Sequence, residues 1–332
     1  MRHNLTPPME QIRPPSSHAV AVYFNGGIAY CFDRAPRDMR SIEDVTRALE
    51  QIVWQSKADC SVPIYARRDG FLIFDFDKCA DFSHRTGGAD VQAANEQQQM
   101  NRLRYQYVNA FLMGVHSGLS ETMSTGTPVQ SPLNGLNWCK AVANDGQWLI
   151  TDSLAQPVNG SNFLARDLQV DVLDHAVRVI AQCEELFDDG HKILELCLIA
   201  GNQYALHQFE SAHLIAWSVI EKSLNKMWAK LLHDLNAANG GHTSINRDRR
   251  DLLTGRDYTA SIVTQQLSLH KIIDDDMLFR LDEARRTRNS FAHSLKPVTW
   301  EDAGRALNTA NDILSKVIGI RVYCQAAVSW RN

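Results

Sequence analysis

The chain lacks the features that direct a protein into a membrane or an oxidising compartment. No apolar run approaches the roughly 20 residues that cross a bilayer, and the N-terminus has no apolar core of signal-peptide length. The seven cysteines are scattered, odd in number and never spaced Cys-x-x-Cys, a pattern that disfavours a disulfide framework and a structural zinc site. We therefore expect a soluble, cytoplasmic protein with reduced thiols, no membrane association, and no metal or cofactor.

An excess of positive charge is also absent. The net charge of −4 argues against a protein that coats nucleic acid in general, but it leaves room for an enzyme with one local basic cleft. The hydrophobic content of 44% and the charged content of 22% are ordinary for a folded protein. A chain of 332 residues is long for a single core, so we expect two domains after a flexible N-terminus at residues 1–17, which carry Pro and Ser.

Residues 18–165 have the pattern of an α/β domain, for which we expect a sensing or regulatory role. Three pairs of apolar segments flank turn sequences typical of β-hairpins: Asn25-Gly26-Gly27, Arg67-Arg68-Asp69-Gly70 and Asn144-Asp145-Gly146. A capping-box sequence at Ser41 predicts a helix that continues to Val53, and apolar periodicity predicts another helix over 91–115.

Residues 166–332 show helical periodicity and no further strand pattern, which predicts an all-helical domain. The predicted helices lie around 173–180, 193–198, 205–235 and 258–270, then from 275 toward Pro297, and from a cap at Thr299 to beyond Val317. Residues 238–257 are predicted to form a loop. The predicted fold class is therefore α+β, with an N-terminal α/β region rich in hairpins and a C-terminal helical bundle.

One helix of this bundle carries an arginine where a core residue is expected. The stripe of side chains on one face of the helix is otherwise apolar: Met277, Leu281, Ala284, Arg288, Phe291 and Leu295. A guanidinium cannot lose its proton, so Arg288 needs a partner, an anion or a wet cleft. Asn289 and His293 follow, and an unbroken helix places His293 about 140° around the axis from Arg288.

The long helix predicted at 205–235 repeats this anomaly. Its apolar stripe of Leu214, Trp217, Leu224 and Trp228 has Glu221 in the middle. Because a buried carboxylate usually needs a cation or a donor, we expect Glu221 to support Arg288 through an ion pair. This ion pair is compatible both with a structural role and with catalysis.

The order Arg288, Asn289, three residues and His293 resembles the signature of the HEPN superfamily, whose small helical domains recur in RNA-cleaving toxins and defence proteins. The resemblance covers roughly residues 186–330. It implies metal-independent RNA cleavage by attack of a 2′-hydroxyl, with Arg288, Asn289 and His293 as catalytic residues. It also implies a homodimer with a composite active site, and a toxin or antiviral effector controlled by an antitoxin or a trigger molecule.

Four further arginines could contact the RNA backbone: Arg285, Arg286, Arg249 and Arg250. A solvated surface loop explains Arg249 and Arg250 equally well, and His293 alone is typical of a helix C-terminus. Two other interpretations remain open. The domain could be a non-catalytic HEPN-like module that dimerises and binds a nucleotide or a partner, or a structural oligomer in which no solvent path reaches Arg288.

Overall fold

The computed structural model describes residues 19–23, 30–31, 43–44, 50–57, 60–68, 70–76, 79, 91–122, 132–133, 139–144, 147–151, 166–167, 170–238, 245–255 and 258–324. The flexible N-terminus expected at 1–17 lies outside these residues. The chain forms two compact units, Met1–Tyr105 with Leu133–Val170, and Gln106–Pro132 with Asp171–Asn332. The first contains an antiparallel sheet and the second consists of helices, so the α+β class is confirmed.

The first unit is built on a six-stranded sheet in which every pair of neighbouring strands is antiparallel. The order across this sheet is β3-β4-β5-β1-β6-β7, and β2 pairs in parallel with β8 in a separate two-stranded sheet. The strands are β1 (Ala19–Tyr23), β2 (Tyr30–Cys31), β3 (Ile52–Gln55), β4 (Ile64–Arg67), β5 (Phe71–Phe74), β6 (Cys139–Asn144), β7 (Gln147–Thr151) and β8 (Arg166–Asp167).

Two of the three predicted hairpins are confirmed. Strands β4 and β5 pair across a turn in which Gly70 has φ of 96°, a conformation that favours glycine. Strands β6 and β7 pair from Asn144 opposite Gln147. The prediction of a hairpin between β1 and β2 is wrong, because β5 and β6 occupy the two edges of β1. The apolar pairing of Val20 with Phe74 therefore prevails over the local Asn-Gly-Gly turn signal.

The helix predicted to continue to Val53 is wrong at its end. Residues Ile52–Gln55 form strand β3, which pairs with β4 and buries Trp54. Two β-branched residues and a tryptophan suit a pleated surface better than a helix, and the neighbouring strand supplies the hydrogen-bond partners.

The second unit contains the predicted helices in the predicted order, and one further helix in a segment that was predicted to be a loop. The helices are α1 (Val91–Thr122, of which the part from Gln106 belongs to this unit), α2 (Val170–Leu186), α3 (Gly190–Ala205), α4 (Phe209–Ala238), α5 (Arg247–Thr254), α6 (Ala260–Leu269), α7 (Asp275–Ser294) and α8 (Trp300–Ile318). Helix α5 lies inside the predicted loop 238–257, where Asn246 caps it by accepting a hydrogen bond from the Arg249 amide.

Two glycines hold α1 against α2. A Cβ at Gly114 would lie 2.6 Å from the Ala176 Cα, and one at Gly118 would lie 3.1 Å from the Val172 Cα. Any side chain at Gly114 would therefore force the two helices apart. This packing explains why the later part of α1 belongs with the helical unit.

Side-chain contacts fix the directions of the three helices around the motif. Arg280 pairs with Asp312 at 2.6 Å and Glu283 with Arg305 at 3.7 Å, so α7 and α8 run antiparallel. Helices α4 and α8 begin at the same end of the bundle, because Glu210 accepts a hydrogen bond from the Val298 amide. Helix α7 therefore ends where α4 begins.

None of the described helices combines the length and the apolar character needed to cross a bilayer.

Burial of one histidine makes the stability of this protein sensitive to acid. The pKa of His116, inside α1, is lowered to about 4 from 6.5 by burial. The unfolded chain takes up this proton below pH 6.5, whereas the folded chain does so only near pH 4. The free energy of unfolding should therefore fall by about 3 kcal/mol as the pH drops from 6.5 to about 4, because of His116.

The variant His116→Gln should remove this contribution. Urea unfolding at pH 7, 5.5 and 4.5 should show the wild type losing more stability than the variant as the pH falls. Parallel losses in the two proteins would contradict the assignment.

Candidate functional site

Helix α7, which carries Arg288, Asn289 and His293, has well-defined ends. Its N-cap is Asp274, whose carboxylate accepts a hydrogen bond from the Met277 amide at 2.8 Å. It ends at Leu295, which adopts a left-handed conformation with φ of 51°, two residues before Pro297. The whole motif therefore lies within one continuous helix.

Core burial of α7 ends before the motif begins. The buried residues of the helix are Met277, Leu281 and Ala284, and every residue from 285 to 294 is half-buried or exposed. The predicted apolar stripe continues in sequence to Leu295, but that side chain is 76% exposed. Arg288 is thus the first member of the stripe that lies beyond the core, which explains how a permanent cation is tolerated there.

The guanidinium of Arg288 is positioned by its neighbour. Its Nη1 donates a hydrogen bond to the Asn289 Oδ1 at 3.0 Å, and both residues are half-buried. Among the described residues Arg288 forms no ion pair. Its positive charge is therefore held in place by a neutral amide and remains available to an anion.

His293 is exposed, and its side chain makes no hydrogen bond or ion pair with a described residue. Because α7 is unbroken, His293 lies about 7.5 Å along the axis from Arg288 and about 140° around it. The structure therefore brings Arg288 and Asn289 together, whereas His293 of the same chain points in another direction.

The predicted ion pair between Arg288 and Glu221 is wrong. His213 on α4 contacts Ala284 on α7, and the two helices run in opposite directions. Arg288 lies about 6 Å beyond Ala284 toward the end of α7, and Glu221 lies about 12 Å beyond His213 toward the end of α4. Because the helices run in opposite directions, the two residues are about 18 Å apart along the helix axes. Glu221 is only half-buried, and it therefore needs no buried cation.

Arg285 and Arg286 share one carboxylate, that of Asp282. The Nη2 atoms of both residues lie 2.6 Å from different oxygens of Asp282. Arg286 is 74% exposed, so its interaction is screened by solvent. Arg288 is therefore the arginine of this helix segment whose charge is least compensated among the described residues.

Arg249 and Arg250 lie far from the motif. Helix α5, which carries them, is tied to the later part of α4, where Trp228 Nε1 donates to the Leu253 carbonyl at 2.8 Å. About 22 Å of α4 separate Trp228 from His213, which lies beside α7. Both arginines are exposed, but an RNA that contacts them and Arg288 together must extend over several nucleotides.

Two residues at the start of α4 contact the motif segment and were not predicted as site residues. His213 is buried and contacts the Ala284 carbonyl, and Glu210 accepts from the Val298 amide. The sequence signal for His213 was its place on the apolar side of α4 with Ala216 and Ile220. From the sequence alone, His213 is predicted to be a packing or surface residue.

The chemistry of the site follows from these groups. Arg288 supplies a fixed cation, Asn289 an amide, and His293 a solvent-accessible imidazole. Within the described residues, no group of three or more His, Cys, Asp or Glu side chains has the arrangement of a metal site. The arrangement suits an anion such as phosphate.

The chain matches no family model and no curated protein, and its fold matches no solved structure.

The position of Arg288 outside the core predicts how its replacement affects stability. Arg288→Met should change the free energy of unfolding by less than about 1 kcal/mol, because a half-exposed cation without a carboxylate partner contributes little. Leu281→Ala, two steps earlier on the same stripe, should cost about 2–5 kcal/mol. Urea denaturation measures both, and equal losses would show that Arg288 has a structural role.

Proposed function

We propose that this protein is a metal-independent endoribonuclease of the HEPN type. The observation that carries the proposal is the uncompensated cation of Arg288, held by Asn289 on a helix that also exposes His293 in the order of the HEPN signature. An arginine on an otherwise apolar stripe, without a carboxylate partner among the described residues, is suited to binding an anion.

The proposed reaction is a transesterification within the RNA. His293 removes the proton of a 2′-hydroxyl, and the 2′-oxygen attacks the adjacent phosphorus. The bond from phosphorus to the 5′-oxygen breaks, and the leaving oxygen takes up a proton. The products are a 2′,3′-cyclic phosphate and a 5′-hydroxyl. Arg288 stabilises the negative charge that develops on the phosphoryl oxygens, and Asn289 keeps the guanidinium oriented.

A homodimer would complete this site. Arg288 and His293 diverge by about 140° within one chain, so a single chain does not direct both at one phosphate. In a symmetric dimer each groove could combine Arg288 of one protomer with His293 of the other. Two large apolar side chains are exposed beside the motif, Leu295 at 76% and Trp300 at 46%, and a dimer contact here would cover them.

The biological role follows from the HEPN resemblance. We propose a cytoplasmic toxin or antiviral effector whose nuclease is restrained or triggered through the N-terminal unit or by a separate antitoxin. The exposed Arg249 and Arg250 would contact the RNA backbone away from the scissile phosphate.

A second candidate function is a non-catalytic HEPN-like module that binds a nucleotide or a partner. The observation that favours it is the divergence of His293 from Arg288 within one chain. In this case Arg288 would bind a phosphate group and no bond would break. Cleavage assays separate the two candidates.

Replacement of the motif residues should abolish RNA cleavage. In EDTA, wild-type protein should cleave a mixture of tRNA and mRNA, and Arg288→Met and His293→Gln should each lower the rate by about 10²–10⁴-fold. The matched controls Arg178→Met and His233→Gln replace exposed residues of the same types on α2 and α4 and should leave the rate within about threefold. Unchanged cleavage by both motif variants would exclude the proposed mechanism.

Mixing the two inactive variants should test the composite site. If the site joins Arg288 and His293 of different protomers, a heterodimer of Arg288→Met and His293→Gln chains contains one intact pair. After subunit exchange the mixture should recover up to about one quarter of wild-type activity, since half of the dimers are mixed and half of their sites are intact. Failure to recover activity, with exchange confirmed by differently tagged chains, would show that both residues act within one chain.

A further inference from the structure

The first turn of α4 contacts both ends of the segment that carries the motif. Glu210 and His213 are three residues apart and lie on neighbouring positions of the helix surface. His213 reaches the Ala284 carbonyl, just before the motif, and Glu210 reaches the Val298 amide, just after it. One helical turn therefore holds the chain on either side of Arg288, Asn289 and His293.

The His213 contact is buried and directional. Its Nε2 lies 3.0 Å from the Ala284 oxygen, and the residue is 1% exposed. Burial lowers the pKa of His213, outweighing the opposing effects of the Ala284 carbonyl and of the backbone and charge of Asp302. The ring is therefore neutral at pH 7, and a carbonyl acceptor requires that the proton be on Nε2.

Ala284 is the last buried residue of α7 and is linked directly to Arg288. In an α-helix its carbonyl accepts the amide hydrogen of the residue four positions later, which is Arg288. His213 thus donates to the same oxygen that fixes the backbone of Arg288. The two hydrogen bonds meet at the point where the helix leaves the core.

The Glu210 contact holds the far end of the segment. The Val298 amide donates to its Oε1 at 3.4 Å, and Val298 is itself buried. Between Ala284 and Val298 no residue is buried. The fully buried residues therefore lie at the two ends of this stretch, and the two α4 side chains form hydrogen bonds at both.

We propose that Glu210 and His213 form a clamp, here called the α4 clamp, that positions Arg288 and His293 for their reaction with RNA. The two are positioning residues, since neither lies among the groups that would touch the phosphate. A displacement of about 1 Å of a catalytic group can lower a rate about 10²-fold. The inference rests on the proposed function for its effect on cleavage, but its effect on the helix can be measured without RNA.

The His213 contact can be tested with variants that differ in where they place a hydrogen-bond donor. His213→Gln keeps an N–H donor near the Nε2 position, His213→Asn places one only near the Nδ1 position, and His213→Leu has none. Asparagine and leucine should lower kcat for RNA cleavage at least about tenfold with KM within about threefold. Glutamine should retain kcat within about threefold of wild type.

The Glu210 contact is tested in the same way. Glu210→Gln keeps a carbonyl oxygen that can accept from the Val298 amide, whereas Glu210→Leu does not. We expect the glutamine variant to retain kcat within about threefold and the leucine variant to lower it about tenfold.

Amide hydrogen exchange gives a measurement that needs no activity. In His213→Asn and His213→Leu the amides of 285–294 should exchange at least about tenfold faster than in wild type, while His213→Gln should keep its protection. Leu224→Ala controls for general destabilisation, because it removes a buried side chain from the same helix about three turns after His213. It should lower overall stability without a selective effect on 285–294.

The outcomes separate the two proposals. If wild-type protein fails to cleave RNA but the exchange pattern follows the donor position, the nuclease proposal fails and the clamp stands. If glutamine and asparagine at position 213 give equal exchange in 285–294, the clamp is overturned regardless of any cleavage.

Discussion

The end of core burial at Ala284 is the constraint on which the candidate site depends. Before this residue, α7 is held by packing of Met277 and Leu281. After it, ten residues remain helical without burying one full side chain. A helix of this kind is stabilised by its neighbours at either end rather than by its own propensity. The motif can therefore present polar groups to solvent while the bundle fixes its direction.

The same constraint explains the electrostatics of the segment. Arg280, Arg285 and Arg286 each have a carboxylate within hydrogen-bond distance, from Asp276 and Asp312 or from Asp282. Among the residues that the structure describes, the side chain of Arg288 has only the amide of Asn289 as a partner. A neutral acceptor can orient a guanidinium without cancelling its charge, whereas a carboxylate would compete with any incoming anion. The difference between neighbouring arginines on one helix therefore follows from the chemistry of their partners.

Local signals predicted much of the fold but not its long-range pairings. The cap at Thr299 was predicted and is present, with the side chain accepting from the Asp302 amide at 3.2 Å. The turns before β5 and between β6 and β7 also carried enough information in a few residues. The sequence around β1 did not indicate its pairing partners, because these are strands more than 40 residues away. Local sequence preferences likewise missed the strand at Ile52, whose pairing with β4 outweighs the helical signal.

The candidate site shows the same division. Helical periodicity placed Arg288 on the apolar stripe and, by the same logic, placed Glu221 on another. It could not show that α4 and α7 run in opposite directions, which separates these two residues. Nor could it show that the apolar stripe of α7 extends beyond the last buried residue, since burial depends on which neighbouring elements are present. The sequence indicated only a packing or surface role for His213, because a hydrogen bond to a backbone carbonyl 71 residues away leaves no local sequence signal.

Leu295, which ends α7, affects the stability of the isolated chain. Leu295 adopts a backbone conformation that glycine enters freely and that costs other residues about 1 kcal/mol. Its isobutyl group recovers little of this within the chain, because most of it faces water. Glycine at this position would make the isolated chain more stable and would expose less apolar surface. Leucine at position 295 therefore lowers the stability of the isolated chain relative to glycine.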